Sequence, residues 1–247
     1  MSDSSQRLAG RRVLIVGANG GVGASAAKAC ALAGATVVLL GRRVAALERL
    51  YDDIERAGAP QPAIYPLNLE GATPADFDEL ALRLNDELGG VDHIVHAATR
   101  LHGLTPIELT EAEEWLRTWQ VNIHAPYFLW RALLPLLRRS DAPTIVALVD
   151  CAERQIAAYW GAYGIAQSAL RALIAMAASE WQSDGVRLIG VEPPPLATAL
   201  RRKVYVSESQ DDLLSPQVVA QALVSILARG AEIPSGAILG PELSAWK

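Results

Sequence analysis

The chain has 247 residues, of which 51% are hydrophobic and 6% aromatic, and 22 Lys and Arg residues against 27 Asp and Glu residues give a formal net charge of −5. This length suits one large domain with a sizeable core. Proteins that bind nucleic acid need a clustered excess of Lys and Arg, so the mildly acidic balance argues against a nucleic-acid partner and against a membrane surface.

The sequence also argues against a membrane span, an export signal and a metal site. No apolar run reaches the roughly 18 residues needed to cross a bilayer, and residues 1–6 (MSDSSQ) lack the basic start and apolar stretch of a signal peptide. We therefore expect a cytoplasmic protein. The 2 cysteines, Cys30 and Cys151, are too few for a thiolate cage or a disulfide framework, and no His-x-x-x-His pair occurs.

Short apolar runs alternate along the chain with longer segments of helical pattern. The apolar runs predict strands at residues 12–16, 36–40, 63–67, 93–96, 144–149 and 187–191, with a last short strand near 237–239. The intervening patterns predict helices at residues 21–33, 44–57, 73–89, 111–139, 163–184 and 215–229. Such alternation is typical of parallel strands joined by right-handed crossovers. We therefore predict an α/β fold, a Rossmann-like doubly wound parallel sheet of about seven strands flanked by helices.

No linker or change of composition divides the chain, so we expect one domain over residues 11–247 after a flexible N-terminus of residues 1–10. Ser215 and Pro216 place an N-cap residue before a proline at the first helical position. Three prolines at 193–195 cannot continue a strand ladder, so the chain must leave the sheet there. Residues 196–212 have no clear period and predict a loop or mobile lid.

A glycine-rich turn, GANGGVG at residues 17–23, joins the first predicted strand to the first predicted helix. Glycines let the backbone approach a diphosphate, whose charge is stabilised at a helix N-terminus. Such turns also occur without a ligand, but this position in an α/β pattern favours nucleotide binding. The candidate cofactor contacts are Gly17, Asn19, Gly21, Val22 and Gly23.

Arg42 and Arg43 follow the second predicted strand, where nicotinamide dinucleotides are commonly distinguished. An acidic residue there binds the ribose 2′-hydroxyl of NAD(H), whereas a guanidinium can bind the 2′-phosphate of NADP(H) through two hydrogen bonds. The pair favours NADP(H) over NAD(H). The alternative is a solvated arginine pair at a strand end.

The spacing Gly17-x-x-x-Gly21-x-Gly23 resembles the cofactor turn of the short-chain dehydrogenase/reductase family, and the resemblance covers nearly the whole chain. Tyr163, after the fifth predicted strand, and Asn122, inside predicted helix 111–139, resemble that family's catalytic tyrosine and helix asparagine. Residues 193–198 resemble its Pro-Gly-x-Val-x-Thr loop, which holds the nicotinamide carboxamide. By this resemblance the further cofactor contacts are Pro193, Leu196 and Thr198.

Several positions depart from the family pattern. Gln167 stands where the family has lysine four residues after the tyrosine, and Asp150 stands where it has the strand-end serine. The family's Asn-Asn-Ala-Gly segment is His96-Ala97-Ala98-Thr99 here, and its adenine-contacting aspartate is Asn68, which keeps an acceptor. The cofactor contacts implied at these places are Asn68, Leu69, Ala97 and Ala98.

The resemblance implies hydride transfer between a nicotinamide and an unidentified carbonyl or alcohol, with Tyr163 as general acid or base. The family's lysine lowers the tyrosine pKa and binds the ribose, whereas Gln167 can bind a ribose hydroxyl but supplies no charge. With an ordinary tyrosine pKa of about 10, only roughly one molecule in a thousand is ionised at neutral pH. Alcohol oxidation should suffer most, and we expect any activity to be a slow reduction that depends on a protonated Asp150, which could donate to the carbonyl.

Each catalytic candidate also has a structural interpretation. Tyr163 could be a packed aromatic residue, Asn122 a satisfied helix amide, and Asp150 a cap or an ion-pair partner of Arg154. For Cys151 we expect a structural thiol, because no partner histidine is implied for a nucleophile.

Helix 163–184 carries alanines at 166, 169, 172, 175, 177 and 178, so another helix could approach its backbone closely. In the family that the chain resembles, this helix and helix 111–139 form subunit contacts, which implies a homodimer or homotetramer. The alternative is that the alanines pack against the chain's own sheet.

The sequence leaves three functions open. The first is an NADP(H)-linked oxidoreductase with a weakened catalytic set. The second is a non-catalytic NADP(H)-binding module or sensor. This function would account for the absence of both the lysine and the serine of the family's catalytic set. The third is a structural subunit without cofactor, favoured by Pro194 and Pro195 because they remove N–H donors from the nicotinamide loop.

Overall fold

A seven-stranded parallel sheet forms the centre of the computed structural model, which describes residues 6–229 and 232–242. The strands run in the order β3-β2-β1-β4-β5-β6-β7. Their bounds are β1 Arg12–Val16, β2 Thr36–Gly41, β3 Ala63–Pro66, β4 His93–His96, β5 Thr144–Leu148, β6 Arg187–Val191 and β7 Ile238–Leu239. The strand order reverses between β1 and β4, and ligands of such sheets bind beyond the carboxyl ends of the strands at this reversal. The predicted fold class is confirmed.

Helices cover both faces of the sheet. Their bounds are α1 Gly21–Leu32, α2 Val44–Arg56, α3 Pro74–Leu88, α4 Ala112–Trp119, α5 Ala125–Leu137, α6 Ala152–Gln155, α7 Gly161–Glu180, α8 Ala199–Val204 and α9 Pro216–Arg229. Val13 and Ile15 of β1 pack in the cluster with α1, α2 and α9, whereas Leu14 and Val16 pack with α3, α5 and α7. Because successive strand residues point to opposite covered faces, most strand positions are apolar rather than alternating with polar ones.

Predicted helix 111–139 is interrupted, which corrects the continuous helix expected from the sequence. A π-helical segment, Gln120–His124, separates α4 from α5. A π turn adds a residue to the helical repeat and is common at functional sites. It contains Asn122, which is 2% exposed.

Two predictions about irregular segments also need correction. Residues 196–212 are not entirely a loop, since α8 lies within them and Arg201 pairs with Glu208. The predicted flexible N-terminus is wrong for Leu8, which is 1% exposed and donates its N–H to the Ala33 carbonyl at 2.8 Å. Residues 1–5 lie outside the described residues.

Two buried histidines on β4 make the fold sensitive to acid. His93 and His96 are 1% and 2% exposed, and burial lowers the pKa of each from 6.5 to about 4. Between these pH values the unfolded chain binds more protons than the folded chain. The free energy of unfolding should therefore fall as the pH drops from 6.5 towards 4, by up to about 1.4 kcal/mol per pH unit for each histidine.

The variant His96→Leu should flatten this dependence. His96 packs edge-on against Trp130, with ring centroids 5.8 Å apart, and neither ring nitrogen has a hydrogen-bond partner among the described residues. An apolar side chain of similar size should therefore be tolerated there. Urea unfolding at about pH 7 and about pH 5 gives the slope, with His102→Leu as the control because the His102 side chain is 61% exposed. An unchanged slope in His96→Leu would contradict the assignment.

Candidate active site

The glycine turn is fixed by backbone packing. The N–H groups of Gly17 and Ala18 both donate to the Leu40 carbonyl of β2, at 2.9 and 3.0 Å. Gly17 has φ +91°, and a Cβ at this residue would lie 2.7 Å from the Ala98 nitrogen. A Cβ at Gly23 would lie 2.2 Å from the Gly17 oxygen. Only glycine fits at these two positions, and the turn leads directly into the N-terminus of α1.

Asn19 and Arg43 fasten the turn to the start of α2. The Asn19 amide accepts from the Arg43 N–H at 3.0 Å and donates to the Arg43 carbonyl at 3.1 Å. The Arg43 guanidinium donates to the Asn19 carbonyl at 2.8 Å. A Cβ at Gly41 would lie 2.1 Å from the Asn19 side-chain oxygen, which explains the glycine at the end of β2. Both side chains therefore shape the turn, and Arg43, although exposed, is bonded to Asn19.

Arg42 has an acidic partner that the sequence did not indicate. Its Nη1 lies 2.9 Å from Oε1 of Glu70, and the same oxygen accepts from Nη1 of Arg100 at 2.9 Å. The Arg42 side chain is 61% exposed, whereas those of Glu70 and Arg100 are 20% and 18% exposed. Arg42 can therefore turn towards a ligand while Glu70 remains paired with Arg100.

The remaining candidate contacts to the adenosine half of a cofactor lie at the carboxyl ends of β3 and β4. Asn68 accepts the Glu70 N–H at 3.3 Å, and Leu69 is 8% exposed. The Ala97 N–H donates to the Val16 carbonyl at 2.9 Å. Both alanines after β4 line the same cavity as Gly17, Asn68 and Leu69.

Asn122 holds the loop after β4 through its side-chain amide. Its oxygen accepts from the Thr99 hydroxyl and from the Arg100 N–H, both at 2.9 Å, and its nitrogen donates to the Arg100 carbonyl at 2.8 Å. This arrangement matches the interpretation of Asn122 as a satisfied amide that positions the loop. Thr99 was not among the residues expected at the site.

The centre of the site is a hydrogen bond between Tyr163 and Asp150. The Tyr163 hydroxyl donates to Oδ2 of Asp150 at 2.9 Å. Oδ1 accepts the Cys151 N–H at 2.7 Å and two N–H groups of Arg154, the one on Nε at 2.7 Å. The carboxyl group therefore faces donors on both oxygens, which fits an ionised carboxylate paired with Arg154. In this geometry Oδ2 is bonded to Tyr163, so the partner of that oxygen is the tyrosine hydroxyl rather than the substrate expected from the sequence.

Tyr163 is held in its neutral form by its surroundings. Burial raises the pKa of Tyr163 well above its usual value, and the negative charge of Asp150 and the hydrogen bond to it raise this pKa further. Thr99 and Arg154 act in the opposite direction but do not outweigh burial. The surroundings therefore oppose ionisation of Tyr163 rather than promote it, as the family's lysine would.

Gln167 does not replace the family's lysine as a charged group. Its side chain is 2% exposed, and its oxygen accepts the Asp150 N–H at 2.9 Å. The Asp150 carbonyl accepts from Gln155 at 2.8 Å and from Arg171 at 2.6 Å. These bonds fix the backbone of Asp150 from both sides, so the carboxylate is held in place before any ligand arrives.

Gly164, directly after Tyr163, allows α6 to approach α7. A Cβ there would lie 2.6 Å from the Gln155 carbonyl oxygen. The close approach brings Arg154 to Asp150 and to the face of Trp160, whose ring centre lies 5.7 Å from the guanidinium carbon. Cys151, at the start of α6, has a pKa raised by burial, which fits the expected structural thiol.

The loop after β6 closes the site over the glycine turn. Leu196 is 5% exposed and forms a parallel bridge with Leu214. The Thr198 hydroxyl accepts the Arg201 N–H at 3.2 Å as the cap of α8, and a hydroxyl in this role can still donate to a phosphate oxygen. A Cβ at Gly21 would lie 3.3 Å from Thr198 Cγ2. Pro193 and Pro194 line the cavity without N–H donors.

One cavity of about 460 Å³ brings these residues together. The glycine turn, Arg42 and Asn68 lie along it, and Asp150, Tyr163 and Gln167 line it as well. Leu101, Trp160 and Tyr163 pack with Leu200, Val204 and Tyr205 in an apolar cluster on its wall. Among the described residues, no group of three or more His, Cys, Asp or Glu side chains is placed to hold a metal ion, and no helix is long and apolar enough to cross a membrane.

The fold and the residues of this cavity are compared best with those of one protein family. A family model described as short chain dehydrogenase matches residues 11–209, and the chain therefore belongs to the short chain dehydrogenase family. The family inferred from the glycine turn and Tyr163 is confirmed.

Among its relatives is the uncharacterized oxidoreductase YciK of Escherichia coli K12, which is 32% identical over 206 residues, or 83% of this chain and 81% of the relative. A solved short chain dehydrogenase from Pseudomonas syringae is 35% identical with a TM-score of 0.89, covering 96% of each chain. Another, from Escherichia coli CFT073 in complex with NADPH, is 29% identical with a TM-score of 0.90, covering 96% of this chain and 99% of that one.

Proposed function

We propose that this chain is an NADP(H)-dependent oxidoreductase that transfers hydride to or from a carbonyl or alcohol. One observation carries the proposal, a single cavity in which the glycine turn and Arg42 lie together with the Tyr163–Asp150 pair. The complexes of related short chain dehydrogenases with NADP and NADPH support the choice of cofactor. The apolar cluster around Trp160 suits an apolar substituent on the substrate.

The residues present fit the proposed cofactor. The close packing of Gly17 against Gly23 leaves backbone, rather than side chains, facing a diphosphate at the N-terminus of α1. Arg42 would bind the 2′-phosphate, and the Gln167 side-chain nitrogen would donate to a ribose hydroxyl. When bound, the nicotinamide would supply the hydride acceptor or donor. The intact turn argues against a structural subunit that has lost the cofactor.

The catalytic set supports a slow enzyme. Tyr163 keeps its proton and Gln167 supplies no positive charge. The Tyr163 hydroxyl already donates its hydrogen bond to Asp150. The second candidate function is a non-catalytic NADP(H) sensor, and the engagement of Tyr163 by Asp150 is the observation that favours it.

The variant Arg42→Ala tests the cofactor assignment. It should weaken NADPH binding by roughly 10- to 100-fold, as expected for loss of hydrogen bonds to a charged phosphate, and leave NADH binding nearly unchanged. Glu70→Gln should strengthen NADPH binding, because the phosphate would no longer compete with a carboxylate for Arg42. Isothermal titration calorimetry with both cofactors measures these changes.

Arg43→Ala is the matched control for this test. Arg43 fastens the turn through Asn19, so its loss should weaken NADPH and NADH binding alike. Equal losses for both cofactors in Arg42→Ala would remove the 2′-phosphate assignment. Absence of binding of either cofactor to the unmodified chain would remove the proposed function.

We also propose a cytoplasmic homodimer or homotetramer. Large apolar side chains on the helices in question are exposed, including Leu116 at 65% on α4, Tyr127 at 45% on α5 and Met176 at 64% on α7. A second copy of the chain that covered them would bury apolar surface.

A further inference from the structure

The two carboxylate oxygens of Asp150 have different partners. Oδ1 accepts from the Cys151 N–H and from Arg154, whereas Oδ2 accepts from the Tyr163 hydroxyl at 2.9 Å. Arg154 therefore neutralises and orients the group through one oxygen, and the other oxygen faces Tyr163. A carboxylate placed in this way can receive the hydroxyl proton without any change in position.

We infer that Asp150 is the final proton acceptor when an alcohol is oxidised at this site, and that Tyr163 passes the proton on to it. The inference rests on the proposed function and names the proton acceptor of its oxidation direction.

Two protons and one hydride move in the proposed step. The substrate O–H bond breaks and its proton binds Oη of Tyr163, while the Tyr163 O–H bond breaks and that proton binds Oδ2 of Asp150. The carbonyl bond forms as the C–H bond of the substrate breaks, and the hydride leaves with its electron pair to NADP⁺. Tyr163 ends as a neutral phenol, and Asp150 later releases its proton to solvent. The net products are the carbonyl compound, NADPH and one proton.

The two directions differ in the charges that they bring together. In carbonyl reduction with an ionised Asp150, Tyr163 would give up its proton and leave a phenolate 2.9 Å from a carboxylate, and like charges at this distance oppose the step. In alcohol oxidation the proton moves onto the carboxylate, so two adjacent anions never form. The same path runs in reverse from a protonated Asp150, whereas a carboxylate that begins ionised beside Arg154 can act as the base of the oxidation.

The groups around Tyr163 and Asp150 are consistent with proton transfer between them. Asp150 and Arg154 are charged groups that act on the Tyr163 hydroxyl. Arg171 and Glu192 pair behind the Asp150 carbonyl, away from its carboxylate oxygens. The Tyr163 side chain is buried, so bulk water does not compete strongly for its proton.

The first test uses Asp150→Asn, which keeps the size of the side chain and removes its basicity. Oxidation of cyclohexanol and 1-phenylethanol by NADP⁺ should fall at least about 100-fold, the lower range for a lost general base. The dissociation constant for NADP⁺ should stay within about threefold of the parent value, because Asp150 is engaged by Tyr163 and Arg154 rather than placed at the glycine turn. Glu153→Gln is the control, since it removes an exposed carboxylate from the same short helix.

The second test needs neither cofactor nor substrate. A buried tyrosine hydroxyl bound to a carboxylate should give a slowly exchanging proton NMR signal downfield of the amides, identified by its loss in Tyr163→Phe. Asp150→Asn should move this signal upfield. Arg154→Gln, which leaves the carboxylate without its cation, should move it further downfield and serves as the second variant if Asp150→Asn does not fold.

The outcomes separate this inference from the proposed function. Alcohol oxidation that Asp150→Asn leaves within threefold of the parent rate, or a hydroxyl signal unaffected by either variant, would overturn the inference, as would a parent chain that binds NADP⁺ but oxidises neither alcohol. A parent chain that does not bind NADP⁺ would overturn the proposed function and with it this role for Asp150.

Discussion

The double variant Asp150→Ser with Gln167→Lys should reduce 4-nitrobenzaldehyde with NADPH about 100-fold or more faster than the parent chain. Asp150→Ser removes the carboxylate that raises the pKa of Tyr163. Gln167→Lys places a positive charge one helical turn from the tyrosine, where it stabilises the phenolate left after proton donation. The probe is an aromatic aldehyde because the wall around Trp160 is apolar. Loss of absorbance of the reduced nicotinamide measures the rate.

Asp150→Ser with Gln167→Met is the matched control. Both double variants remove the Gln167 oxygen that accepts the N–H of residue 150, so both should lose about 1–3 kcal/mol of stability. They differ in the charge at residue 167. If the two variants reduce the aldehyde at equal rates, the missing lysine charge is not what limits the parent chain.

The fold was predictable because it depends on short-range patterns. Most strand residues are apolar since both faces of the sheet are covered, and the glycine turn lies between β1 and α1, where the family's turn is expected. The interruption at Gln120–His124 was not predictable in this way. A single extra residue leaves the apolar positions on both sides of the π segment close to a helical spacing.

The site was only partly predictable. The sequence indicated Tyr163, Asn122 and Asp150, but it left open whether Asp150 caps a turn, pairs with Arg154 or acts on the tyrosine. The structure shows that Oδ1 pairs with Arg154 and accepts the Cys151 N–H, while Oδ2 accepts the Tyr163 hydroxyl, because the two oxygens face in different directions. Spacing along the chain carries no information on which carboxylate oxygen faces which donor.

Glu70 could not be predicted as a partner of Arg42, since it follows a different strand. The contact forms because β2 and β3 are neighbours and their carboxyl ends lie at one edge of the sheet. Arg100, after β4, reaches the same carboxylate from the other side of β1. In such a sheet, residues after strands distant in sequence share one site, so their pairing depends on the strand order and on the loops.

Gly23→Ala should abolish measurable NADPH binding and lower the free energy of unfolding by about 1–3 kcal/mol. The new methyl carbon would lie 2.2 Å from the Gly17 oxygen and 2.8 Å from its carbonyl carbon. Both are backbone atoms, so the whole turn would have to move. Gly17 is held in turn by the Leu40 carbonyl and lies against Ala98, so the displacement would spread to β2 and to the loop after β4.

Gly20→Ala separates this packing effect from a general intolerance of side chains in the turn. Gly20 has an extended backbone with φ −100°, and the nearest atom to its added Cβ would be the Gly17 oxygen at an ordinary 3.5 Å. This variant should therefore unfold at the parent denaturant concentration, whereas Gly23→Ala should unfold earlier. If both variants are equally stable and bind NADPH as the parent does, contact between Gly17 and Gly23 does not shape the turn.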